Sequence, residues 1–174
     1  MRPPVLTDGT ITLTGFRIAD WRAHLAGDDD ELARRFGWNP GDSTEETVRR
    51  AIRAWQRGWR REGRVRAWAV RSGDELVGGC ELRLRDDAIA DLEYWVLAPY
   101  RRRGHASRAV ELVARYAFAD LSIVRIELYI EPDNEASFAV ARAAGFTEEG
   151  VLRGRAVLRG RRHDVVLYSR LATD

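Results

Sequence analysis

The chain has 174 residues, and its 29 arginines, with no lysine, nearly balance 27 acidic residues, which leaves a net charge of +2. This balance removes the general positive excess that binding to phosphate backbones requires, so we expect no nucleic-acid partner. The longest apolar runs fall short of the roughly 18 residues of a membrane span, and Asp8 and Thr10 interrupt any signal peptide, so no membrane association is expected.

The length predicts one domain, residues 1–174, with a single substantial core. The lone cysteine, Cys80, excludes an internal disulfide framework and is expected to be a small buried residue. His24 is expected on a helix surface, His105 at an exposed loop position and His163 on a strand surface. Because no second His or Cys lies near His163, no metal site is expected. These features favour the cytoplasm.

The first third of the chain predicts a strand and two helices. Alternating apolar residues over 9–16 predict the strand, and the apolar spacing over 18–26 predicts a helix. The Asp-rich and Asn-Pro-Gly segments of 27–43 are typical of a loop. Thr44 is a candidate cap for an amphipathic helix that ends near Gly63.

An antiparallel meander follows, and its strands are predicted at 65–71, 75–85 and 88–97. The periodic tryptophans of this region are interpreted as core or sheet packing: Trp55, Trp59, Trp68 and Trp95.

The last third predicts a βαβ unit and a closing hairpin. Its segments are a loop at 98–106, a helix to about Asp120, a strand at 124–130, a helix from 132–134 to Gly145, and strands at 146–158 and 163–171. This order predicts an α/β (α+β) protein with a sheet of mixed direction.

The strongest local feature is the segment 94–107, where a strand leads through a basic loop into a helix. Free N–H groups at a helix N-terminus bind anions, and the small residues Gly104 and Ala106 let a phosphate approach the backbone. Arg101, Arg102 and Arg103 add positive charge. Ser107 could donate a hydroxyl. The loop therefore predicts a pyrophosphate ligand, although it matches neither a Walker loop nor a dinucleotide fingerprint.

Four further segments follow this loop in a fixed order. They are Pro132-Asp133-Asn134-Glu135-Ala136-Ser137, Gly145-Phe146, Glu149-Gly150 and the final stretch 161–169. Together with the loop, this order resembles the GNAT superfamily of acyl-CoA N-acyltransferases. More narrowly, it resembles the branch of ribosomal-protein alanine N-acetyltransferases (Rim-type) and their small-molecule relatives.

The resemblance implies a GNAT fold with helices flanking a mostly antiparallel sheet, in which two parallel strands splay apart. It also implies acetyl-CoA as co-substrate and no metal. The pantetheine arm would bond the backbone near Tyr94 and Val96, and the backbone amides from Arg102 through His105 to Ser107 would hold the pyrophosphate. Asn134 and Ser137 would line the far wall near the thioester. Asn134 is equally well explained as a helix cap.

The implied reaction is direct attack of an amine on the thioester in a ternary complex. The first candidate for the general base is Glu93 and the second is Glu127, although each could instead be a solvent-facing or ion-paired strand residue. Where many relatives carry a tyrosine acid, this chain has Ala141, so acid catalysis would rest on Ser137. A glutamate of the alanine-acetylating branch is replaced by Ala156, which puts a ribosomal substrate in doubt.

The acceptor is expected to be a small-molecule amine or a peptide N-terminus. Trp38 lies in the aromatic loop 36–40, where the family builds its acceptor pocket, and it is either a substrate contact or plain packing. Two other functions stay open: a non-catalytic CoA-binding sensor or scaffold, and an RNA-binding protein, against which the balanced acids argue. The hairpin at 151–171 offers strand edges for a homodimer.

Overall fold

A computed structural model describes residues 2–37, 39, 41–60 and 63–174. The helices are α1 (Trp21–Gly27), α2 (Asp30–Phe36), α3 (Glu45–Arg60), α4 (His105–Asp120) and α5 (Glu135–Ala143). The strands are β1 (Leu6–Thr7), β2 (Thr12–Thr14), β3 (Val65–Ser72), β4 (Glu75–Leu84), β5 (Ile89–Val96), β6 (Arg125–Ile130), β7 (Thr147–Leu158) and β8 (Arg161–Leu171).

The strands form one sheet in the order β1-β2-β3-β4-β5-β6-β8-β7. Neighbours pair antiparallel except β5 and β6, which run parallel, so the predicted mixed, mostly antiparallel sheet is confirmed. The parallel pair joins only Ile89–Asp91 to Arg125–Glu127. Beyond Asp91 the two strands separate, and the sheet opens along the C-terminal half of β5. This opening positions the site.

The two faces of the sheet carry different helices. On one face Phe16, Ile52 and Trp95 belong to an apolar cluster beneath the N-terminal helices. On the other face Leu92 packs with Val110 of α4. Because side chains alternate along a strand, Leu92 and Trp95 of β5 reach opposite cores. Cys80 is buried, as expected from the sequence.

Two sequence predictions need correction. Within the predicted loop 27–43 lies helix α2, whose buried Leu32 and Ala33 supply an apolar face. Asp29 caps it by accepting a hydrogen bond from the Leu32 amide (3.0 Å), so an aspartate interpreted as loop is a helix start signal. The predicted strand 9–16 is present but shorter, as β2 at Thr12–Thr14, and it pairs with the unpredicted strand β1 in a hairpin. The hairpin turn is held by Asp8 Oδ1, which accepts from the Thr10 and Ile11 amides (2.8 and 2.9 Å).

Several helix boundaries were predicted correctly. Thr44 and Thr47 exchange hydrogen bonds between side chain and amide (2.8 and 3.2 Å), a capping box at the start of α3. Gly145 follows α5 with φ at +76°, as a C′ glycine does. In the part of the chain that the structure describes, no helix is long and apolar enough to cross a membrane.

Candidate active site

The opening between β5 and β6 forms a cleft of about 900 Å³, here called the strand cleft. Most of the residues singled out from the sequence line it: Glu93, Tyr94, Val96, Arg101, Arg102, Gly104, His105, Ala106, Ser107, Asn134 and Ser137. Two candidates are not among its lining residues. Arg103 is exposed with its guanidinium 5.7 Å from the Tyr100 ring centre, and Glu127 lies farther back along β6.

The basic loop turns through two left-handed residues, Arg102 (φ +63°) and Gly104 (φ +76°). Such a turn directs successive backbone amides into one concavity that suits an anion. A Cβ at Gly104 would meet no atom within 4 Å, so the backbone faces open space there. The 16-residue helix α4 begins immediately afterwards, at His105, and adds the positive end of its dipole. The loop therefore has the form of a pyrophosphate site.

The arginine that opens this loop has a role that the sequence did not reveal. Arg101 donates to both carboxylate oxygens of Asp29 (2.7 and 2.8 Å), and its Nε donates to the Val96 carbonyl oxygen (3.2 Å). Asp29 therefore caps α2 and anchors the loop at once. Because this guanidinium is already paired, an anion in the loop would depend mainly on the backbone amides.

His105 is buried, with 8% of its surface exposed, so the expectation of an exposed loop residue is wrong. Burial lowers the pKa of its imidazole, and the charges of Arg103 and Arg108 lower it further. A neutral ring is thus favoured beside the concavity. His24 is likewise buried rather than on a helix surface.

Asn134 does cap a helix, and it also lines the strand cleft. Its Oδ1 accepts from the Ser137 amide (3.1 Å), while the Tyr94 hydroxyl donates to the Ser137 carbonyl (3.5 Å) across the cleft. Asn134 is therefore both a helix cap and a lining residue of the strand cleft, and its place near a thioester stays a prediction. Ala141 is fully buried in the core, whereas Ala156 lines the cleft.

A second cavity of about 370 Å³ adjoins the strand cleft and is here called the aromatic cavity. The two share the side chains of Leu32, Phe36, Glu93 and Trp95. Glu93 is exposed, and it lines both of these cavities. The surrounding protein raises the pKa of the Glu93 carboxyl by desolvation, and the Glu81 carboxylate raises it further. Glu93 is thus suited to take up a proton.

Of the rings that line the aromatic cavity, Trp55 and Trp95 were predicted only as packing, whereas Phe36 belongs to the loop 36–40 that was expected to form the acceptor pocket. The Trp55 and Trp95 rings stack with centres 5.4 Å apart, and the Phe36 ring meets Trp95 edge-on at 6.0 Å. Trp95 lies directly over Gly79, where a Cβ would come within 2.1 Å of the indole. The missing signal was the strand register, since only the alignment of β4 with β5 brings Gly79 beneath Trp95.

Glu127, the second candidate base, forms ion pairs and a hydrogen bond with neighbouring side chains. It is ion-paired with Arg125 (2.6 Å) and Arg85 (2.7 Å) and accepts from the Tyr129 hydroxyl (2.5 Å). Burial alone would raise its pKa, but these hydrogen bonds and charges outweigh burial and lower the pKa. A stabilised carboxylate of this kind is a poor proton acceptor.

Two expectations concern residues or ligands beyond these contacts. Trp38, the predicted substrate contact, lies outside the described residues. Among the residues that the structure does describe, no group of three or more His, Cys, Asp or Glu side chains converges as a metal ion would require.

Comparison with known proteins places this geometry in context. The profile of the acetyltransferase (GNAT) domain matches residues 10–147. YdaF of Bacillus subtilis strain 168, provisionally named a ribosomal N-acetyltransferase, is 31% identical over 143 residues, 80% of this chain and 76% of YdaF. YoaA of the same strain, named an uncharacterized N-acetyltransferase, is 29% identical over 171 residues, 95% of this chain and 96% of YoaA.

The fold is shared with RimL, the ribosomal L7/L12 alpha-N-protein acetyltransferase, solved with coenzyme A. The superposition has a TM-score of 0.86 at 21% identity and covers 97% of this chain and 98% of RimL.

Proposed function

The chain belongs to the GNAT acetyltransferase family, and on that premise we propose that it transfers an acetyl group from acetyl-CoA to a primary amine. The amine belongs to a small molecule or a protein N-terminus, and it attacks directly in a ternary complex within a single domain, residues 1–174. The observation that carries the proposal is the meeting of two cavities at Glu93, one with a phosphate-binding loop and one without.

The strand cleft fits acetyl-CoA in shape and chemistry. Its loop offers backbone amides to a pyrophosphate, and the unpaired edge of β5 at Tyr94 and Val96 offers backbone groups to an extended pantetheine arm. Its volume of about 900 Å³ is that of a site for a large ligand. Bound there, the thioester supplies an activated acetyl group.

Glu93 would serve as the general base. The amine enters the aromatic cavity as its ammonium and reaches the carboxylate where the two cavities join, and Glu93 takes one proton, which frees the nitrogen lone pair. The nitrogen then forms a bond to the acetyl carbon as the carbon–sulfur bond breaks and CoA leaves as thiolate. The surplus proton on the nitrogen passes to the thiolate by way of the Ser137 hydroxyl, which gives the amide and the CoA thiol. Holding both reactants at one junction accounts for much of the catalysis expected of such an enzyme.

Ser137 is the proposed donor of a proton to the departing thiolate. It lines the cleft on the wall facing Tyr94. The position at which many relatives carry a tyrosine acid is the buried Ala141 in this chain. Since CoA thiolate is a fair leaving group, we expect Ser137→Ala to slow turnover less than loss of Glu93.

The direct test is CoA release, followed with a thiol reagent, over amino acids, aminoglycosides, polyamines, arylalkylamines and Ala- or Ser-starting peptides. Glu93→Gln is expected to lower turnover at least about tenfold, as for loss of a general base, while acetyl-CoA binding measured by calorimetry persists. The control is Glu75→Gln, an exposed residue of the same sheet. Full turnover in Glu93→Gln would exclude this base.

The alternative is a CoA-binding sensor or scaffold without turnover. It is favoured by Ala141 and Ala156, which stand where relatives carry catalytic groups. Acetyl-CoA binding with no CoA release from any amine would support it. Loss of binding as well would overturn both functions. A cytoplasmic location and a homodimer through the closing hairpin stay part of the proposal.

A further inference from the structure

Packed aromatic rings supply much of the lining of the aromatic cavity. Trp55 and Trp95 stack with 26° between their planes, and His24 lies 6.2 and 6.0 Å from their ring centres. Trp95 and His24 are each only 9% exposed, so these walls are buried side chains fixed by packing. Rings of this kind contact another ring by offset stacking or edge-to-face packing.

Two carboxylates also line the aromatic cavity. Glu81 of β4 and Glu93 of β5 are directly opposite in the antiparallel register, and both line the cavity. Like charges placed opposite one another weaken a sheet, so a positive group beside Glu93 would be favourable. Glu81 is fixed by Trp55 Nε1 (2.8 Å) and Arg83 (2.7 Å). Among the described residues, Glu93 has no hydrogen-bond or ion-pair partner.

The charges around the cavity also favour a cation. Among the described residues, its lining contains three carboxylates, from Asp42, Glu81 and Glu93, and one guanidinium, the exposed Arg50, while Arg83 pairs with Glu81 from outside the lining. Burial lowers the pKa of His24, more than the carboxylates of Asp28 and Asp20 raise it, so this imidazole adds no charge at neutral pH. A positively charged amine is therefore drawn toward the junction with the strand cleft.

We propose that the acceptor is a compact primary amine that carries an aromatic ring on a short chain and enters as its ammonium ion. The ring lies against Trp55 and Phe36, and the ammonium lies between Glu81 and Glu93. This rests on the proposed acetyl transfer and names its acceptor. A polyamine would need carboxylates along its length where the cavity has aromatic faces. A peptide would need hydrogen-bonding partners for its backbone in the same place.

Binding is measured apart from turnover. Calorimetry on the CoA-saturated protein compares 2-phenylethylamine with its neutral analogue 2-phenylethanol and with spermidine. We expect 2-phenylethylamine to bind most tightly. Tighter binding of spermidine, or equal binding of the amine and the alcohol, would overturn the proposal, and this comparison needs only the wild-type chain.

The variant test uses a matched pair of substitutions that remove the same charge. Glu81→Gln keeps a hydrogen-bond acceptor for Trp55 and is expected to raise the Kd of 2-phenylethylamine about tenfold to hundredfold, the range for a bond to a charged group. The Kd of 2-phenylethanol is expected to stay the same. Glu75→Gln, exposed at the start of the same strand, is expected to change neither value. An unchanged amine Kd in Glu81→Gln would overturn the role of the carboxylate pair.

Turnover separates the two proposals. CoA release with 2-phenylethylamine at a higher kcat/KM than with spermidine or an Ala-starting peptide supports both. Release with another amine class but not with arylalkylamines overturns the acceptor and leaves acetyl transfer standing. No release with any amine, while 2-phenylethylamine still binds at the Glu81–Glu93 pair, overturns acetyl transfer and supports the binding site.

Discussion

Glu93, the proposed general base, lies in an environment that is unfavourable for a carboxylate. Its pKa is raised by the surrounding protein and by Glu81, so the folded state holds the proton more tightly than the unfolded state does. Stability from this group is therefore present below the unfolded pKa, about 4.3, and is lost as pH rises through the folded value. At neutral pH the ionised Glu93 weakens the fold.

Glu93→Gln is accordingly expected to raise the Tm at pH 7, although it lowers activity. The gain should shrink as the pH falls toward about 4, where the glutamate takes up its proton in both states. Scanning calorimetry at both pH values checks this, with Glu75→Gln as the control. A lower Tm at pH 7 would contradict the assignment of the raised pKa.

The pH profile of turnover gives a second residue-level prediction. Because the base must be ionised, kcat/KM is expected to rise with pH through the raised pKa of Glu93. Glu81 contributes to that shift, together with Asp91 and against Arg83. In Glu81→Gln the acidic limb should move to lower pH. A limb that stays in place would show that Glu81 does not contribute to the raised pKa of Glu93.

Sequence reasoning reached Glu93 but not what surrounds it. The residue was selected for its nearness to the presumed cleft, and Glu127 for the same reason. Their environments differ because strand register sets Glu81 against one and folding brings Arg125 and Arg85 to the other. Arg125 is only two residues from Glu127 on the same strand, but the contacts with Glu81 and Arg85 depend on the pairing of separate segments, which local patterns do not reveal.

Helix α2 forms a wall of both cavities and is held by ion pairs from its own last turn. Arg35, with 13% of its side chain exposed, pairs with Glu131 (2.7 Å) and Asp133 (2.5 Å) in the segment after β6. On the same helix Leu32 and Phe36 line both cavities. The ion pairs thus fasten α2 across the open end of the β5–β6 gap.

Arg35→Gln is expected to loosen this helix without unfolding the sheet. Hydrogen exchange of the 33–37 amides should accelerate, because α2 then opens locally, while the β4 and β5 amides keep their protection. Exchange detected by mass spectrometry distinguishes the two regions. Equal protection of α2 in the variant and the wild type would refute the fastening role.

A buried ion pair fixes the entry to α1. Arg71 of β3 donates to both oxygens of Asp20 (2.9 and 2.7 Å), and the two side chains are 6% and 8% exposed. Asp20→Asn leaves the guanidinium buried without its counter-charge and is expected to lower the free energy of unfolding by about 3–5 kcal/mol. Urea unfolding measures this value.

The matched control is the exposed pair of Arg64 and Asp86 (68% and 81% exposed), where Asp86→Asn should change stability by less than about 1 kcal/mol. Similar losses in both variants would mean that burial is not the deciding factor.

For the whole molecule, the open sheet predicts stabilisation by its ligand. CoA that binds only the folded chain adds about 2.7 kcal/mol at 100 times its Kd, which corresponds to a Tm increase of about 5–10 °C for a domain of this size. Pantetheine lacks the pyrophosphate and should give a smaller increase at the same concentration. Equal increases would argue against the loop as the phosphate site.

The order of strands and helices was predictable because hydrophobic periodicity and caps are local, as Thr44 and Gly145 illustrate. Helix α2 was missed because its seven residues are rich in charge and show too little apolar period. The aromatic cavity was missed for a different reason: Trp55 and Trp95 come from a helix and a strand that only the tertiary fold brings together.

The close packing of Trp95 on Gly79 restricts how the proposed acceptor site can be redesigned. Any side chain at position 79 collides with the indole, and a smaller residue at position 95 alone leaves a void above bare backbone. Libraries that aim at larger acceptors therefore need to vary positions 79 and 95 together. Substitutions at position 79 or 95 alone would mainly give destabilised proteins. Substitutions at both positions together could change the shape of the aromatic cavity while the total side-chain volume stays constant.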